Sequence, residues 1–521
     1  MRNFILFCVL LTIQILTKCS ADEVHPRASY KPTYNFTPIA EEMSTEFWMN
    51  KAQNILSEKL AQTVQRNLNE AKNIILFLGG GMSMQTFTAA RSLMGDSSKQ
   101  ISFEKFPYIG LTKTYAINQR VPDAGSTTTA YLSGVKSNYG TIGVTAQVQR
   151  NDCHEASNTS THTESLAKWA QDAKKWTGFV TTARVTYGSP AGIYAHTANR
   201  DWETDGDVER SGCSSKTNTD IARQLIEGPV GRNLRVVLGG GRRSFLDVHT
   251  NDEEGLPGIR TDKRNLIKEW LSEKKSQGLL ANYVWSKKGL QKVDLSKCEY
   301  LLGLFSNSHC PYHGDLEREY LTNARPSLTD MTEAAIRVLS KSENGYFLFV
   351  DSAKIDMAHH DTKAHKALED VVELARAVEL AQNMTSTKDT LIVVTSNHAH
   401  TMTINGYPYR DQNIFGLAPS NADDGLPYTI LSYANGPGYT ETYSTETGRL
   451  NLSTVNLNNP NHRYMTTVPL SASTHGGEDV GVFASGPFEH YFTGNYEQTS
   501  IPALMAHAAN IGPFTKNIIN K

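Results

Sequence analysis

Asp356 and His360 stand four residues apart in the segment LFVDSAKIDMAHH of this 521-residue chain. On a helical turn that spacing puts both side chains on one face, and a carboxylate beside an imidazole suits zinc. Spacing alone does not make a site, because such pairs are common on ordinary surface helices. Other segments point to a cleft that these side chains would share. Asn73 to Ser83, NIILFLGGGMS, is an apolar run ending in glycines, the pattern of a buried strand that delivers a loop. VPDAGSTTTAYLSGVK, GSPAGIYAHTANR, VVTSNHAH and STHGGEDVGVFASGP add hydroxyls, Arg200 and histidines in short loop-like stretches.

The elements that would position them read as one large α/β unit with insertions. Strands are expected at Ile74 to Leu78, Arg235 to Leu238, Tyr346 to Val350 and Thr390 to Val394, with helical stretches between. That alternation predicts a largely parallel sheet covered on both faces, with chemistry on loops at the carboxyl ends of strands. Between Phe47 and Val64, the residues Phe47, Trp48, Ile55, Leu56, Leu60 and Val64 recur at helical spacing, an amphipathic N-terminal arm. Residues 405–467, rich in Gly, Asn, Pro and Thr, interrupt the pattern. The net charge of -2, with signs interspersed, offers no basic stripe and argues against nucleic acid as a partner.

The N-terminus has a basic start, an apolar stretch from Phe4 to Leu16 and small residues at Cys19, Ser20 and Ala21. It reads as a secretory signal over residues 1–21, too short in its apolar run for the roughly 20 residues of a spanning helix. Without it Cys153, Cys213, Cys298 and Cys310 remain, an even number for an oxidising compartment. Pairing nearest in sequence gives Cys153–Cys213 and Cys298–Cys310. Sequons at Asn35, Asn158, Asn383 and Asn451 fit a secreted glycoprotein.

In their order and separations these segments resemble the animal alkaline phosphatases, over nearly all of the chain after residue 21. The resemblance implies an α/β fold with a large, mostly parallel sheet covered by helices on both faces. Residues 22–70 would be an N-terminal arm, 71–404 and 468–521 the core, and 405–467 a crown-like insertion. Arm and crown imply a homodimer. A Cys153–Cys213 bridge is typical of the family. The C-terminal AHAANIGPFTKNIINK lacks the hydrophobic tail of many animal relatives, so no membrane anchor is expected.

The family holds two zinc ions and a magnesium around a serine nucleophile. Asp356, His360 and His475 match one complete zinc position, with His359 a neighbour. At the second position the chain has Gly80, Ala124, Asn397 and His398, where the family has an aspartate, the serine and an Asp-His pair. Glycine and alanine carry no donor, and neutral asparagine is a poor substitute for a carboxylate. The magnesium position keeps only Ser189 and Asp351, with Tyr187 in place of a histidine or aspartate. Glu254 matches one calcium ligand, while Ser306 and Arg325 stand where carboxylates are expected. One zinc is therefore expected, a second zinc and magnesium are poorly provided for, and calcium is not expected. Ser126 follows Ala124 by a rotation of roughly 200°, and Thr127, closer in direction, is displaced by about one turn, so neither hydroxyl takes the serine's place. Arg200 matches the family's phosphate clamp, or it pairs with Asp123.

These residues predict a secreted alkaline-phosphatase-like glycoprotein that has lost most or all phosphomonoesterase activity and binds a small ligand, anionic or other, or a protein partner. Two alternatives stay open at this level: residual zinc-dependent hydrolysis through metal-bound water, and a non-catalytic partner subunit of an active relative.

Overall fold

The computed structural model describes residues 40–64, 66–95 and 98–515. The expected signal segment and Asn35 lie outside the described residues.

Ten strands form the central sheet: β1 (Asn73–Gly79), β2 (Tyr108–Lys113), β3 (Trp176–Arg184), β4 (Val236–Gly240), β5 (Ala281–Val284), β6 (Tyr300–Leu304), β7 (Tyr346–Ser352), β8 (Thr390–Thr395), β16 (Val480–Ser485) and β17 (Gly494–Glu497). Their spatial order is β17-β2-β16-β8-β1-β7-β3-β4-β6-β5, and β16 alone runs against the rest. Among the described residues seven short strands lie outside it: β9 (Ala399–His400), β10 (Met402–Ile404), β11 (Leu431–Gly436), β12 (Tyr443–Ser444), β13 (Gly448–Arg449), β14 (Thr466–Pro469) and β15 (His475–Gly476). β10, β11 and β14 form a separate small sheet at the base of the 405–467 segment. All four strands expected from the sequence are present; β4 starts one residue later and runs to Gly240.

Alternation along the central strands explains the layers. Ile75 and Phe77 of β1 face one core, with Val180, Leu348, Val394 and the helices Leu328–Leu339 and Ala364–Met384. Ile74, Leu76 and Leu78 face the other, with Phe179, Phe347, Val393 and the helices Leu166–Asp172, Leu266–Ser276 and Ser500–Ala508. A period of two on a strand buried on both sides leaves no polar position, which is why these runs read as continuously apolar.

Strand register sets the site. Leu78 lies beside Asp351 and Thr395, and Asp351 beside Thr181, so the chain leaves β1, β7, β8 and β3 at one carboxyl edge. The helix Thr45–Val64 forms where the apolar periodicity predicts, with Met49, Ile55 and Leu56 exposed.

Cys153 and Cys213 are joined, as expected, with Cα atoms 5.5 Å apart. The Cys298–Cys310 pairing is wrong: both are free, buried thiols. They lie beyond opposite ends of β6, a strand of five residues spanning roughly 17 Å, against the 4.4–6.8 Å that a disulfide tolerates. Cys298 bonds the Tyr300 carbonyl at the start of the strand, and the Cys310 amide bonds the Thr182 carbonyl at the other end.

Candidate functional site

Asp356 and His360 lie on the helix Lys354–His360, which follows β7 directly, so the four-residue spacing places both over the sheet edge. His475 arrives from β15, held in register against His400 of β9. The Nδ1 atoms of His360 and His475 contact the carbonyls of Ser473 and Pro122 at 2.6 and 2.7 Å. Donating there leaves both Nε2 atoms as bare lone pairs, and these face each other at 3.1 Å. Two lone pairs at that distance call for a cation between them, a metal ion or a proton. Fixing of the tautomer by a carbonyl is also the usual support of a metal-bound histidine.

The spacing fits zinc. The Asp356 carboxylate lies 3.5 Å from His360 Nε2 and 3.4 Å from His475 Nε2. Tetrahedral ligands at zinc's bond lengths of roughly 2.0–2.1 Å sit about 3.3 Å apart. Burial opposes charge on Asp356, but His360, His400 and His475 outweigh it and hold the carboxyl well below its usual range.

His400 is the residue the sequence reading missed. With Asp356, His360 and His475 it forms a four-residue group whose ligand atoms lie within 4.8 Å of one another. Its Nε2–H donates to Asp356 at 2.7 Å, a hydrogen bond that orients the carboxylate. Burial pushes the His400 imidazole down to about 4 despite Asp356, so it stays neutral. The only signal was its place two residues after His398. Gly81, at φ +65°, makes room for it: a side chain there would meet the His400 ring at 2.4 Å. His359 bonds Tyr433 and Thr86 at 2.8 and 3.1 Å and supports the layer below.

Across the cleft the donors run out. Gly80 and Ala124 offer none. Asn397 Oδ1 accepts the Gly81 and His398 amides, each at 2.9 Å, so its oxygen serves the backbone. His398 stacks on His475 with ring centroids 3.6 Å apart, and its Nε2 is buried without a hydrogen-bond partner. One orphaned imidazole nitrogen does not make a second zinc site. Nor do the residues fit magnesium, which needs six oxygens in octahedral array. Asp351 gives one carboxylate oxygen to Thr181 at 2.8 Å and keeps the other buried and unpartnered. Burial, reinforced by Asp356 and only partly offset by Thr181, pushes its carboxyl up to about 7. Ser189 is buried, and its carbonyl accepts from Thr128. The Tyr187 hydroxyl lies 3.5 Å from Asp356, and Arg200 sits 4.9 Å over its ring.

Ala124 opens the helix Ala124–Ser133 and is 1% exposed. Asp123 caps that helix and takes the amides of Gly125, Ser126 and Gly140. Ser126 Oγ donates to Asp123 at 2.8 Å, and Thr127 Oγ1 to the Asp123 carbonyl at 2.8 Å. Both hydroxyls serve the cap. Arg200 pairs with Asp123 at 2.9 Å, the second of the two roles open to it. Farther out, Glu254 pairs with the guanidinium groups of Arg242 and Arg325. Asn158, Asn383 and Asn451 are exposed.

A family model for alkaline phosphatase matches residues 71–511. The chain is 43% identical to a membrane-bound alkaline phosphatase of Bombyx mori, over 94% of this chain and 90% of that protein. It is 44% identical to the tissue-nonspecific alkaline phosphatase of Gallus gallus, over 91% of each. Its fold matches the alkaline phosphatase of the Antarctic bacterium TAB5 with a TM-score of 0.58 at 20% identity, covering 85% of this chain and 99% of that one. A parallel sheet that gathers Asp356, His360 and His475 at its carboxyl edge, in a chain this similar to those enzymes, makes this protein a member of the alkaline phosphatase family.

Proposed function

We propose that this protein keeps the alkaline phosphatase frame without most of its phosphomonoesterase chemistry, and acts by binding a small anionic ligand or a protein partner. The observation that carries the reading is Ala124. It occupies the nucleophile's position, and the nearest hydroxyls, Ser126 and Thr127, are bound to Asp123. Loss of an activated serine alone can cost on the order of 10⁶ in turnover. The absence of donors at Gly80 and Ala124, with Asn397 Oδ1 tied to two amides, removes the groups that would hold a second cation.

One zinc is assigned to Asp356, His360 and His475, with His400 orienting the carboxylate. When bound, zinc there supplies a fixed positive charge and a Lewis acid facing the cleft. Tyr187 and Arg200 line the approach, so an anion reaching the cleft meets a guanidinium whose fork is tied to Asp123 at one nitrogen. The second zinc position and the magnesium position are assigned no ion, and the Arg325 and Arg242 pairs with Glu254 stand in for calcium's charge. Residual hydrolysis at the remaining zinc is the second reading, favoured by a ligand set of three that leaves a coordination position open.

Secretion as a glycosylated homodimer completes the proposal. It is supported by the N-terminal segment, the Cys153–Cys213 bridge, the exposed sequons, and exposed Met49, Ile55 and Leu56 on the arm helix. Among the described residues no helix is long and apolar enough to cross a membrane. Hydrolysis of a chromogenic phosphate monoester, compared between the natural protein and an Ala124→Ser, Gly80→Asp, Asn397→Asp variant, tests the reading. Comparable turnover by both would sink it.

A further inference from the structure

The strands' amino-terminal edge, opposite the metal cluster, holds a second concentration of charge. Arg235 immediately precedes β4, and the register of β4 with β3 and β6 sets it between Trp176 and Tyr300, the first residues of the flanking strands. The guanidinium lies 4.5 Å from the Trp176 ring and 4.2 Å from the Tyr300 ring. Aromatic faces on both sides hold the fork in one plane. Its Nη1 is buried without a hydrogen-bond partner, and among the described residues no carboxylate pairs with it. The residue as a whole is half-buried, so the rest of the guanidinium faces outward while its buried Nη1 is short of an acceptor.

It opens on a groove of about 610 Å³ whose wall carries Lys168, Lys174, Lys175, Arg232 and Arg235 against the single carboxylate Asp172. Asp172 is taken by Lys168 at 2.6 Å. Lys175 donates to the carbonyls of Lys72 and Asn344, so its charge has no ion-pair partner there. Buried Lys274 lies behind the wall, 3.7 Å from Glu273 and donating to the Arg232 carbonyl, so its charge is already met. The acids that reach this region, Glu70, Glu273 and Glu299, act on Lys175, Lys274 and Tyr300.

We propose that this groove is an anion-binding site for a small molecule carrying two or more phosphate or sulfate groups. One group is held by the Arg235 fork, and the next by the exposed rim cations Lys174 and Arg232. The groove is larger than a single oxyanion needs, and planar N–H pairs match tetrahedral oxyanions. The length of β3 separates it from the metal cluster by about 25 Å, so it is a distinct site and does not rest on how the cleft functions.

The test is calorimetric titration of the full-length protein in 150 mM-scale salt with inorganic pyrophosphate and, separately, with sucrose octasulfate. Both probes are repeated on Arg235→Met, which keeps the apolar stem between the rings, on Lys174→Gln/Arg232→Gln at the surface, and on Arg200→Gln in the opposite cleft. Saturable binding is expected for at least one probe, with a component weakened about tenfold or more by Arg235→Met. The rim variant should weaken that component several-fold, while Arg200→Gln should affect only binding in the opposite cleft. The probe that binds tells phosphate from sulfate ligands. If Arg235→Met fails to fold, the rim variant decides alone. No saturable binding of either probe overturns the proposal, as does binding that Arg200→Gln abolishes and the groove variants leave intact.

Discussion

Arg200 Nη1 lies 2.9 Å from Asp123 Oδ2, and Asp123 is also the cap of the helix that begins at Ala124. The carboxylate is fully buried while the Arg200 side chain is 14% exposed. Burial would raise the Asp123 carboxyl, but Arg200 and the bonds from Gly140 and Ser126 outweigh it and hold it below its usual value. The pair ties Arg200 to the start of the helix that Ala124 opens.

Removing one member should therefore cost more than the pair contributes. Asp123→Ala is expected to destabilise by about 3–5 kcal/mol, because it strips the helix cap and leaves a buried guanidinium unpaired. Arg200→Met should cost less, since the amides of Gly125, Ser126 and Gly140 still satisfy the carboxylate. Urea unfolding of both variants ranks them, and a larger loss for Arg200→Met would contradict the picture.

The cysteines give a chemical prediction. A chain beginning after residue 21 should show two titratable thiols once denatured without reductant, from Cys298 and Cys310, and none after both are changed to serine. Opening the Cys153–Cys213 bridge, with its sequence separation of 60, should cost on the order of 4 kcal/mol. Zero thiols in the natural chain would restore the second disulfide.

Acid stability should depend on His196. Burial, then the neighbouring His162 ring stacked at 4.4 Å, push its imidazole down to about 4, against a smaller opposing effect of the Thr163 carbonyl. A depressed folded value means the unfolded chain binds the extra proton first. The contribution is present above about 6.5 and is lost as pH falls toward 4. His196→Asn should flatten that limb by on the order of 2 kcal/mol relative to the natural protein, read from unfolding at several pH values between 4 and 7. An unchanged slope would show that His196 is already free to protonate in the fold.

Metal content checks the cluster. His360→Ala and His475→Ala are each expected to lower bound zinc from about one per chain to near zero after dialysis, because two ligands hold zinc poorly. His400→Phe, which removes only the bond to Asp356, should weaken retention by about 10- to 100-fold without abolishing it. Retention unaffected by any of these changes would place the metal elsewhere.

Much of this was legible in the sequence because it is local. Continuous apolar runs gave the buried strands, and the four-residue spacing of Asp356 and His360 survived as a shared helix face. What was missed depends on register between distant segments. His400 enters the cluster because β9 pairs with β15, placing it opposite His475. Cys298 and Cys310 look adjacent on the chain, yet β6 holds them apart. Arg235 reads as the first residue of a strand, and only the neighbours β3 and β6 reveal its aromatic clamp.

The central claim is that the frame remains and the chemistry does not. It is tested most directly by the turnover of a chromogenic phosphate monoester from pH 7 to 10, with zinc and magnesium supplied, for the natural protein and the Ala124→Ser, Gly80→Asp, Asn397→Asp variant. At Gly80 the added Cβ lies 3.3 Å from Ala353 Cα and from Asp356 Cβ, close enough that both must shift by a few tenths of an ångström. The account predicts a natural protein with little or no turnover and a variant that gains it by several orders of magnitude. Turnover by the natural protein comparable to that of the variant would contradict the account and require a catalytic group other than the side chain at position 124.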